Sequence, residues 1–412
     1  MESFPISTNV SPFAPGEPLA PSHRGISPRL LILPPQHRAP IIDPRDADLA
    51  RALVLDITIG LCRSRLYEVI APFTARQLVS GPSCGHLISA DYVVGTEVFP
   101  CTGPVPLSLL RVEIFSGLSG DRIWMGEFEL RTGEFQDLHH LLSSRLADEV
   151  CGRIGSEELR QFRRTGAASA YTHYLLATRR EGRNDLASLL LAQKSLTRSI
   201  QLAPDFVPAL SQMARTKTLE WLERGTEDRE LLREATSLAH RAYRYEPTDS
   251  ASLREIGHAA LYQHDPGAAL EHYEAALILA PNHADLLADQ ADVLTHLSRH
   301  ADAEARISRA LSLNPLAPDD YYWIGGAVCF FMEDYKRALE RLSAMRSPGL
   351  ALRLMAACAA MSGDMGTAAS YRERALARDP SFTVSKWRSL YPEPDKTDTA
   401  HYLRALKLAG FA

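Results

Sequence analysis

Small and apolar residues recur about every 34 residues in the C-terminal half of the chain, a period typical of repeat proteins. Prolines mark this period: Pro247, Pro281, Pro315, Pro348 and Pro380. Small alanines stand twelve residues before prolines: Ala192 (before Pro204), Ala235, Ala269, Ala303 and Ala368. Seven residues after each alanine comes a second small residue: Ser199, Ala242, Ala276, Ala310 and Ala375.

This spacing predicts stacked helical hairpins. Positions seven apart share one helix face, where small side chains allow a neighbouring helix to approach closely. A proline ends the helix because it lacks the backbone N–H and restricts the residue before it. A unit of this length can bury its apolar face only against its neighbours. The pattern therefore predicts a helical solenoid, a fold that binds partners more often than it performs chemistry.

The N-terminal half shows a different pattern. A continuous apolar run predicts a short buried strand at residues 30–33, and apolar residues at steps of four predict an amphipathic helix over 45–65. Further apolar or alternating runs predict strands at 67–70, 92–98, 107–115 and 122–130, followed by a helix from Phe135 to about Ile154. The order β-α-β-(α)-β-β-β-α indicates an α/β domain with a mixed sheet.

Five segments follow from these patterns. Residues 1–27 are rich in proline and serine without periodicity, so they are expected to form a disordered arm. The α/β domain spans 28–155, a linker spans 156–167, the solenoid spans 168–392 and a C-terminal capping helix spans 393–412. The length of 412 residues agrees with two or three domains.

Composition narrows the functional class. The formal charge of −5 gives no reason to expect bulk affinity for nucleic acid or an anionic membrane. Six cysteines occur singly, without a CxxC pair, which argues against a zinc ribbon or a disulfide framework and fits a reducing cytosol. No signal-peptide pattern precedes Arg24, and the apolar stretch 321–332 is too short for a bilayer. A cytoplasmic protein without a membrane segment is expected.

The repeat resembles the tetratricopeptide repeat, a helix-turn-helix unit of about 34 residues. The first-helix positions of that family are kept in two units: Leu253, Ile256 and Gly257, then Tyr321, Ile324 and Gly325. Tyr273 fills the large position between two alanines. Two departures are the missing consensus tryptophan and the longer step between Pro204 and Pro247, where 223–229 would form a loop. The resemblance implies about five to six repeats across 168–392.

The α/β domain resembles the module called TolB-like, which precedes tetratricopeptide repeats in bacterial regulators. The residues that carry the resemblance lie at 31–34, 56–63, 69–71, 90–98, 123–127 and, in the tail, 400–410. In that family the module follows a class III nucleotide cyclase domain or a winged-helix DNA-binding domain. Because residues 1–27 hold neither, the resemblance implies a regulatory half without its output domain, which is either lost or encoded separately.

Candidate catalytic motifs are weak. Residues 81–85 match G-x-S-x-G but lack the strand before and the helix after that a nucleophile elbow requires. His139 and His140 are adjacent on a predicted helix and would point about 100° apart, so they cannot clamp a metal together. Cys62 and Cys151 are expected in the core. With no phosphate-binding or dinucleotide motif, we expect no catalysis, no cofactor and no metal.

Two sets of residues are candidates for partner binding. The stretch 153–183 holds seven arginines against three glutamates, which could form a basic patch for nucleic acid or an acidic partner around Arg163, Arg164, Arg179 and Arg180. A solvated linker explains the same charges and is favoured. Aromatic residues could bind a protein partner, although packing in the core is favoured for them: Tyr321, Tyr322, Trp323, Phe330 and Phe331.

The sequence thus favours a non-catalytic regulatory or scaffold protein of bacterial type, which binds a protein partner through its solenoid. The first alternative is a transcriptional regulator that contacts DNA through the basic linker. The second is a small-molecule sensor with a pocket in the α/β domain. Neither the partner nor the oligomeric state follows from the sequence.

Overall fold

The computed structural model of the chain describes residues 26–37, 44–80, 89–101, 107–130, 135–179, 185–224, 228–390 and 396–412. These residues form two compact units. One comprises Met1–Leu176 with Arg198–Pro204, and the other comprises Ala177–Thr197 with Asp205–Ala412. Each unit has its own secondary-structure class.

The first unit is built on a mixed sheet, as the alternating patterns predicted. Its strands are β1 (Arg29–Ile32), β2 (Gln36–His37), β3 (Glu68–Val69), β4 (Tyr92–Cys101), β5 (Leu107–Ser116) and β6 (Arg122–Leu130). Their order is β3-β1-β4-β5-β6, and β2 pairs with β4. The β1 strand is parallel to both neighbours, whereas β4, β5 and β6 are antiparallel. The two-residue strand β2 had no sequence pattern to predict it.

Three helices accompany the sheet: α1 (Pro44–Arg63), α2 (Pro72–Ser80) and α3 (Phe135–Thr165). The α1 helix packs against α3 and against the sheet through buried Leu53 and Ile57. The α3 helix ends at Thr165 instead of near Ile154, so most of the expected linker 156–167 is helical. Buried Leu159 and the pairing of Glu157 with Arg160 three residues later explain the continuation.

The rest of the chain is helical. Its helices are α4 (Ala170–Thr178), α5 (Leu186–Leu202), α6 (Val207–Arg224), α7 (Arg229–Tyr245), α8 (Ser250–Tyr262), α9 (Pro266–Leu279), α10 (Ala284–His296), α11 (His300–Leu313), α12 (Asp319–Phe331), α13 (Tyr335–Ser343), α14 (Leu352–Met361), α15 (Met365–Arg378), α16 (Val384–Leu390) and α17 (Lys396–Leu408). Antiparallel hairpins form between α6 and α7, α8 and α9, α10 and α11, α12 and α13, and α14 and α15. Among the described helices, none is long and apolar enough to span a bilayer.

The small residues of the repeat pattern lie where neighbouring helices approach. All of them are buried, including Ala269 and Ala276 on α9 and Ala303 and Ala310 on α11. A Cβ on Gly257 would lie 3.1 Å from the carbonyl oxygen of Ala269. Such contacts leave no room for a larger side chain. The helical repeat predicted from this spacing is therefore confirmed.

Local signals fix the ends of the repeat helices. Aspartates accept hydrogen bonds from backbone N–H groups at the first turns of α8, α9, α13 and α15: Asp249, Asp265, Asp334 and Asp364. The turn inside each of four consecutive hairpins holds one residue with positive φ: His264, Ser298, Glu333 and Gly363. This left-handed residue reverses the chain so that the second helix folds back on the first.

Candidate partner-binding groove

The aromatic residues singled out in the sequence lie on α12 and contribute to packing. Tyr321 and Phe330 are buried, and Tyr322, Trp323 and Phe331 are half-buried. The ring of Phe330 lies 4.9 Å from that of His401 and 5.5 Å from that of Tyr402. This placement agrees with the packing interpretation that the sequence favoured. Binding of a partner by the half-buried rings stays a prediction.

The described arginines of the candidate basic patch lie at the ends of two different helices. Arg163 and Arg164 are exposed at the end of α3, and Arg179 is exposed just after α4, whereas Arg180 lies outside the described residues. Arg153 and Arg160, from the same stretch, pair with Glu149 and Glu157 on α3. Intrahelical pairs of this kind neutralise part of the positive charge.

The remaining sequence candidates show no shared site. Cys62 was expected in the core but is exposed, because Leu61 occupies the buried face of α1 and the next residue points about 100° away. Cys151 is half-buried, and burial raises the pKa of its thiol to about 11. The G-x-S-x-G motif at 81–85 and the side chains of His139 and His140 lie outside the described residues.

A charged network that the sequence did not reveal crosses the first helices of the repeats. Helices α6, α8, α10 and α12 pack side by side, and we call their shared face the inner groove. Arg254 on α8 donates from Nε to Asp289 Oδ2 on α10 at 2.5 Å, and its Nη1 lies 3.3 Å from Asp285 Oδ2. Arg215 Nη1 on α6 lies 3.6 Å from Glu255 Oε1 and 3.9 Å from Asp289 Oδ2. These ion pairs link three successive repeats.

The network is mostly shielded from solvent. The side chain of Glu255 is 4% exposed and that of Arg254 is 13% exposed. Burial alone would raise the pKa of Asp289, but the charges of Arg254 and Arg215 lower it to about 2. Asp289 is therefore ionised at neutral pH, as the two guanidinium groups require.

A second part of the groove contains carboxyl groups whose negative charge is less completely balanced by nearby cations. Burial, with repulsion from Asp289 and Asp320, raises the pKa of Asp292 to about 7. His296 Nε2 lies 3.7 Å from Asp292 Oδ1, and burial lowers the pKa of His296 to about 4, so the imidazole is neutral at pH 7. Burial also raises the pKa of Asp320. The groove thus carries more carboxyl groups than its cations neutralise.

Several buried atoms of the groove have unused hydrogen-bonding capacity. Within the part of the chain that the structure describes, Arg215 Nη1, Glu255 Oε2 and His258 Nδ1 form no hydrogen bond with another residue. His258 Nδ1 and Glu255 Oε2 lie 3.7 Å apart, too far for a hydrogen bond. Buried polar atoms of this kind usually bind water or a ligand. The groove therefore holds polar atoms whose hydrogen-bonding capacity is not used within the described residues.

The repeat period itself could have located this groove. Glu255, Asp289 and Trp323 follow one another at the repeat period and occupy the same position in three successive repeats. A charged residue on a helix that is otherwise apolar is an informative departure from the core pattern. Across the described residues, no group of three or more His, Cys, Asp or Glu side chains could hold a metal ion.

Comparison with known proteins identifies the repeat. No curated protein matches the chain. Similar solved structures include PilF of Pseudomonas aeruginosa (16% identity, TM-score 0.37, covering 53% of this chain and 95% of that chain). They also include a thermophilic tetratricopeptide-repeat protein of Thermus thermophilus (18% identity, TM-score 0.36, covering 58% of this chain and 100% of that chain). The tetratricopeptide repeat family model matches residues 254–325. The segment that holds most of the inner groove therefore consists of tetratricopeptide repeats.

Proposed function

We propose that this protein is a non-catalytic regulatory scaffold that binds an extended segment of another protein along the inner groove. The observation that carries the proposal is the set of buried polar atoms without hydrogen-bond partners on α6 and α8: Arg215 Nη1, Glu255 Oε2 and His258 Nδ1. An extended peptide offers a backbone N–H and C=O at every residue. These atoms have almost no exposed surface, so a bound segment would reach them after small rearrangements of the side chains that cover them.

The energetics of the network support binding over a purely structural role. A buried ion pair adds little stability, because removing two charges from water offsets most of their attraction. Apolar residues of similar size at positions 254 and 289 would stack the repeats at least as well. Charged side chains at these positions are better explained by recognition of a partner.

The biological setting of the proposal comes from the sequence resemblance of the α/β unit. A TolB-like module ahead of tetratricopeptide repeats would make the chain the regulatory half of a bacterial signalling or transcription system. The partner in the groove would then be another protein of that system. The mixed sheet of β1 to β6 is compatible with such a module.

A position-specific photocrosslink in the full-length protein tests the proposal. A photoreactive phenylalanine replaces Trp323, at the groove position of α12, in the cells that normally make the protein. The matched control replaces Ile278, which is 82% exposed on α9 outside the groove. We expect one protein, identified by mass spectrometry, to be crosslinked at position 323 and not at 278. Equal crosslinking at both positions, or none at 323, would contradict a partner in the groove.

A further inference from the structure

The inner groove has an excess of acidic groups, and this excess specifies the chemistry of its ligand. Its carboxyl groups are Glu255, Asp285, Asp289, Asp292 and Asp320, whereas its guanidinium groups are Arg215 and Arg254. We propose that the groove recognises a basic segment and that a lysine or arginine side chain of the partner pairs with Asp292. This inference rests on the proposed function, since it names the kind of segment that the groove receives.

The two guanidinium groups already lie within ion-pair distance of carboxylates of the groove. Arg254 contacts Asp289 and Asp285, and Arg215 lies between Glu255 and Asp289. Among the described residues, no lysine or arginine nitrogen lies within 4 Å of Asp292, whose only ion-pair neighbour is His296. Asp292 is thus the acid of the groove that lacks a permanent cation.

Asp292 is accessible to a ligand. Its side chain is 25% exposed, in contrast to the 4% of Glu255. Burial and the negative charges of Asp292, Asp289 and Asp320 raise the pKa of Tyr262 on α8. Tyr262 also packs against the ring of Trp221 at 5.4 Å. Aromatic rings beside a carboxylate are a favourable site for the methylene chain and charged end of lysine or arginine.

Glu255 provides the second, independent observation. Its Oε2 is buried in the same network and accepts no hydrogen bond from a described residue. Lysine carries three N–H donors and arginine five, and neither has an acceptor on its charged group. Oε2 is buried and would not contact the segment directly, but its charge adds to the negative potential that a cation at Asp292 would meet.

Other ligand classes fit less well. A phosphorylated or acidic segment would add negative charge beside Asp289 and Asp292 and would be repelled. A metal ion has no group of three or more His, Cys, Asp or Glu ligands among the described residues. An apolar segment would leave Glu255 Oε2 and His258 Nδ1 buried without partners, which is unfavourable.

Three synthetic peptides and the full-length protein test the inference. The dodecapeptides have a glycine and serine background, blocked ends and four lysines, four glutamines or four glutamates. Binding is measured at pH 8 by isothermal titration calorimetry. We expect the lysine peptide to bind about tenfold more tightly than the glutamine peptide and the glutamate peptide most weakly, because the charge of lysine complements the acids of the groove; tenfold corresponds to about 1.4 kcal/mol.

Two matched substitutions locate the binding. Asp292→Asn keeps the shape of the side chain and should weaken the lysine peptide about fivefold to tenfold, whereas Asp292→Glu should restore most of the affinity. Asp302→Asn is the control, since Asp302 is exposed on α11 and pairs with Arg299. Circular dichroism checks that each variant is folded.

The outcomes separate this inference from the proposed function. Equal affinity for the lysine and glutamine peptides, tighter binding of the glutamate peptide, or no binding of any peptide would overturn recognition of a basic segment. An equal effect of Asp292→Asn and Asp302→Asn would also overturn it. None of these results would contradict a crosslink at position 323, because the crosslink tests whether the groove is an interface and does not depend on the charge of the ligand.

Discussion

Replacing Arg254 with glutamine perturbs the inner groove most directly. Glutamine keeps part of the aliphatic chain but removes the charge that lies 2.5 Å from Asp289 Oδ2 and 3.3 Å from Asp285 Oδ2. After the substitution, Arg215 is the one guanidinium group left near Asp289 and Glu255, at 3.9 and 3.6 Å. Two mostly buried carboxylates would then share one guanidinium group.

The loss of folding stability follows from the pKa of Asp289 and from the contacts of Arg254. The pKa of Asp289 is lowered from 3.8 to about 2, a difference that corresponds to about 2 kcal/mol of stability at neutral pH. Loss of the contacts to Asp285 and Glu255 adds to this value. We expect Arg254→Gln to lower the free energy of unfolding by about 3–5 kcal/mol, the range for breaking a buried ion pair.

Urea unfolding at pH 7, followed by circular dichroism at 222 nm, measures the effect. A double-mutant cycle with Asp289→Asn should give a coupling of about 2 kcal/mol. The control Arg233→Gln should change stability by less than about 0.5 kcal/mol, because Arg233 is 69% exposed in its pair with Glu230. A loss below about 1 kcal/mol for Arg254→Gln, or a coupling near zero, would refute the assignment of Arg254 as the central cation.

The pH profile of the same variant provides a further check. Because the pKa of Asp289 is lower in the folded state, its contribution to stability is complete above pH 4 and is lost as the pH falls toward 2. Without Arg254, the lowering cation is gone and burial raises the pKa of Asp289. The acid-induced loss of stability should therefore begin at higher pH in Arg254→Gln than in the wild type.

Three other substitutions have defined outcomes. Asp292→Asn should stabilise the protein by about 4 kcal/mol at pH 8 and by less than about 1 kcal/mol at pH 4, because the folded-state pKa near 7 lowers wild-type stability as the pH rises; urea unfolding at both pH values measures this. Gly363→Ala should lower stability by about 1 kcal/mol in the same assay through its φ of 84°, whereas Gly366→Ala in α15 should not lower it. Tyr171→Phe should lower stability by about 1 kcal/mol in thermal unfolding, since its hydroxyl donates to Tyr67 at 3.0 Å.

The helical repeat was predictable because its cause is local. The buried pairs Ala269 with Ala276 and Ala303 with Ala310 each lie on one helix, and the proline that follows ends that helix in any tertiary context. The mixed sheet was predictable for a similar reason, since the alternating runs of β5 and β6 flank a turn of small residues. By contrast, β2 has only two residues and exists through its pairing with β4.

The end of α3 shows how tertiary contacts override a local pattern. The arginine-rich stretch 153–183 favoured a solvated linker with a helical polar face, and the helix before it was expected to end near Ile154. Burial of Leu159 extends that helix to Thr165, and the local pair of Glu157 with Arg160 supports the extension. Cys62 was expected in the core but is exposed, because one position along α1 changes the direction of a side chain by about 100°.

The sequence alone determined the repeat period, the positions where helices must approach closely, and the class of the N-terminal sheet. These features depend on side-chain size and spacing along one or two neighbouring elements. Only the tertiary structure brought Arg215, Arg254, Glu255, Asp289 and Asp292 together, because these residues come from three repeats and the repeat period gives no distance between their charged atoms. Their positions relative to one another decide which carboxylates are neutralised by a guanidinium group. This determines the charge of the segment that the groove is proposed to receive.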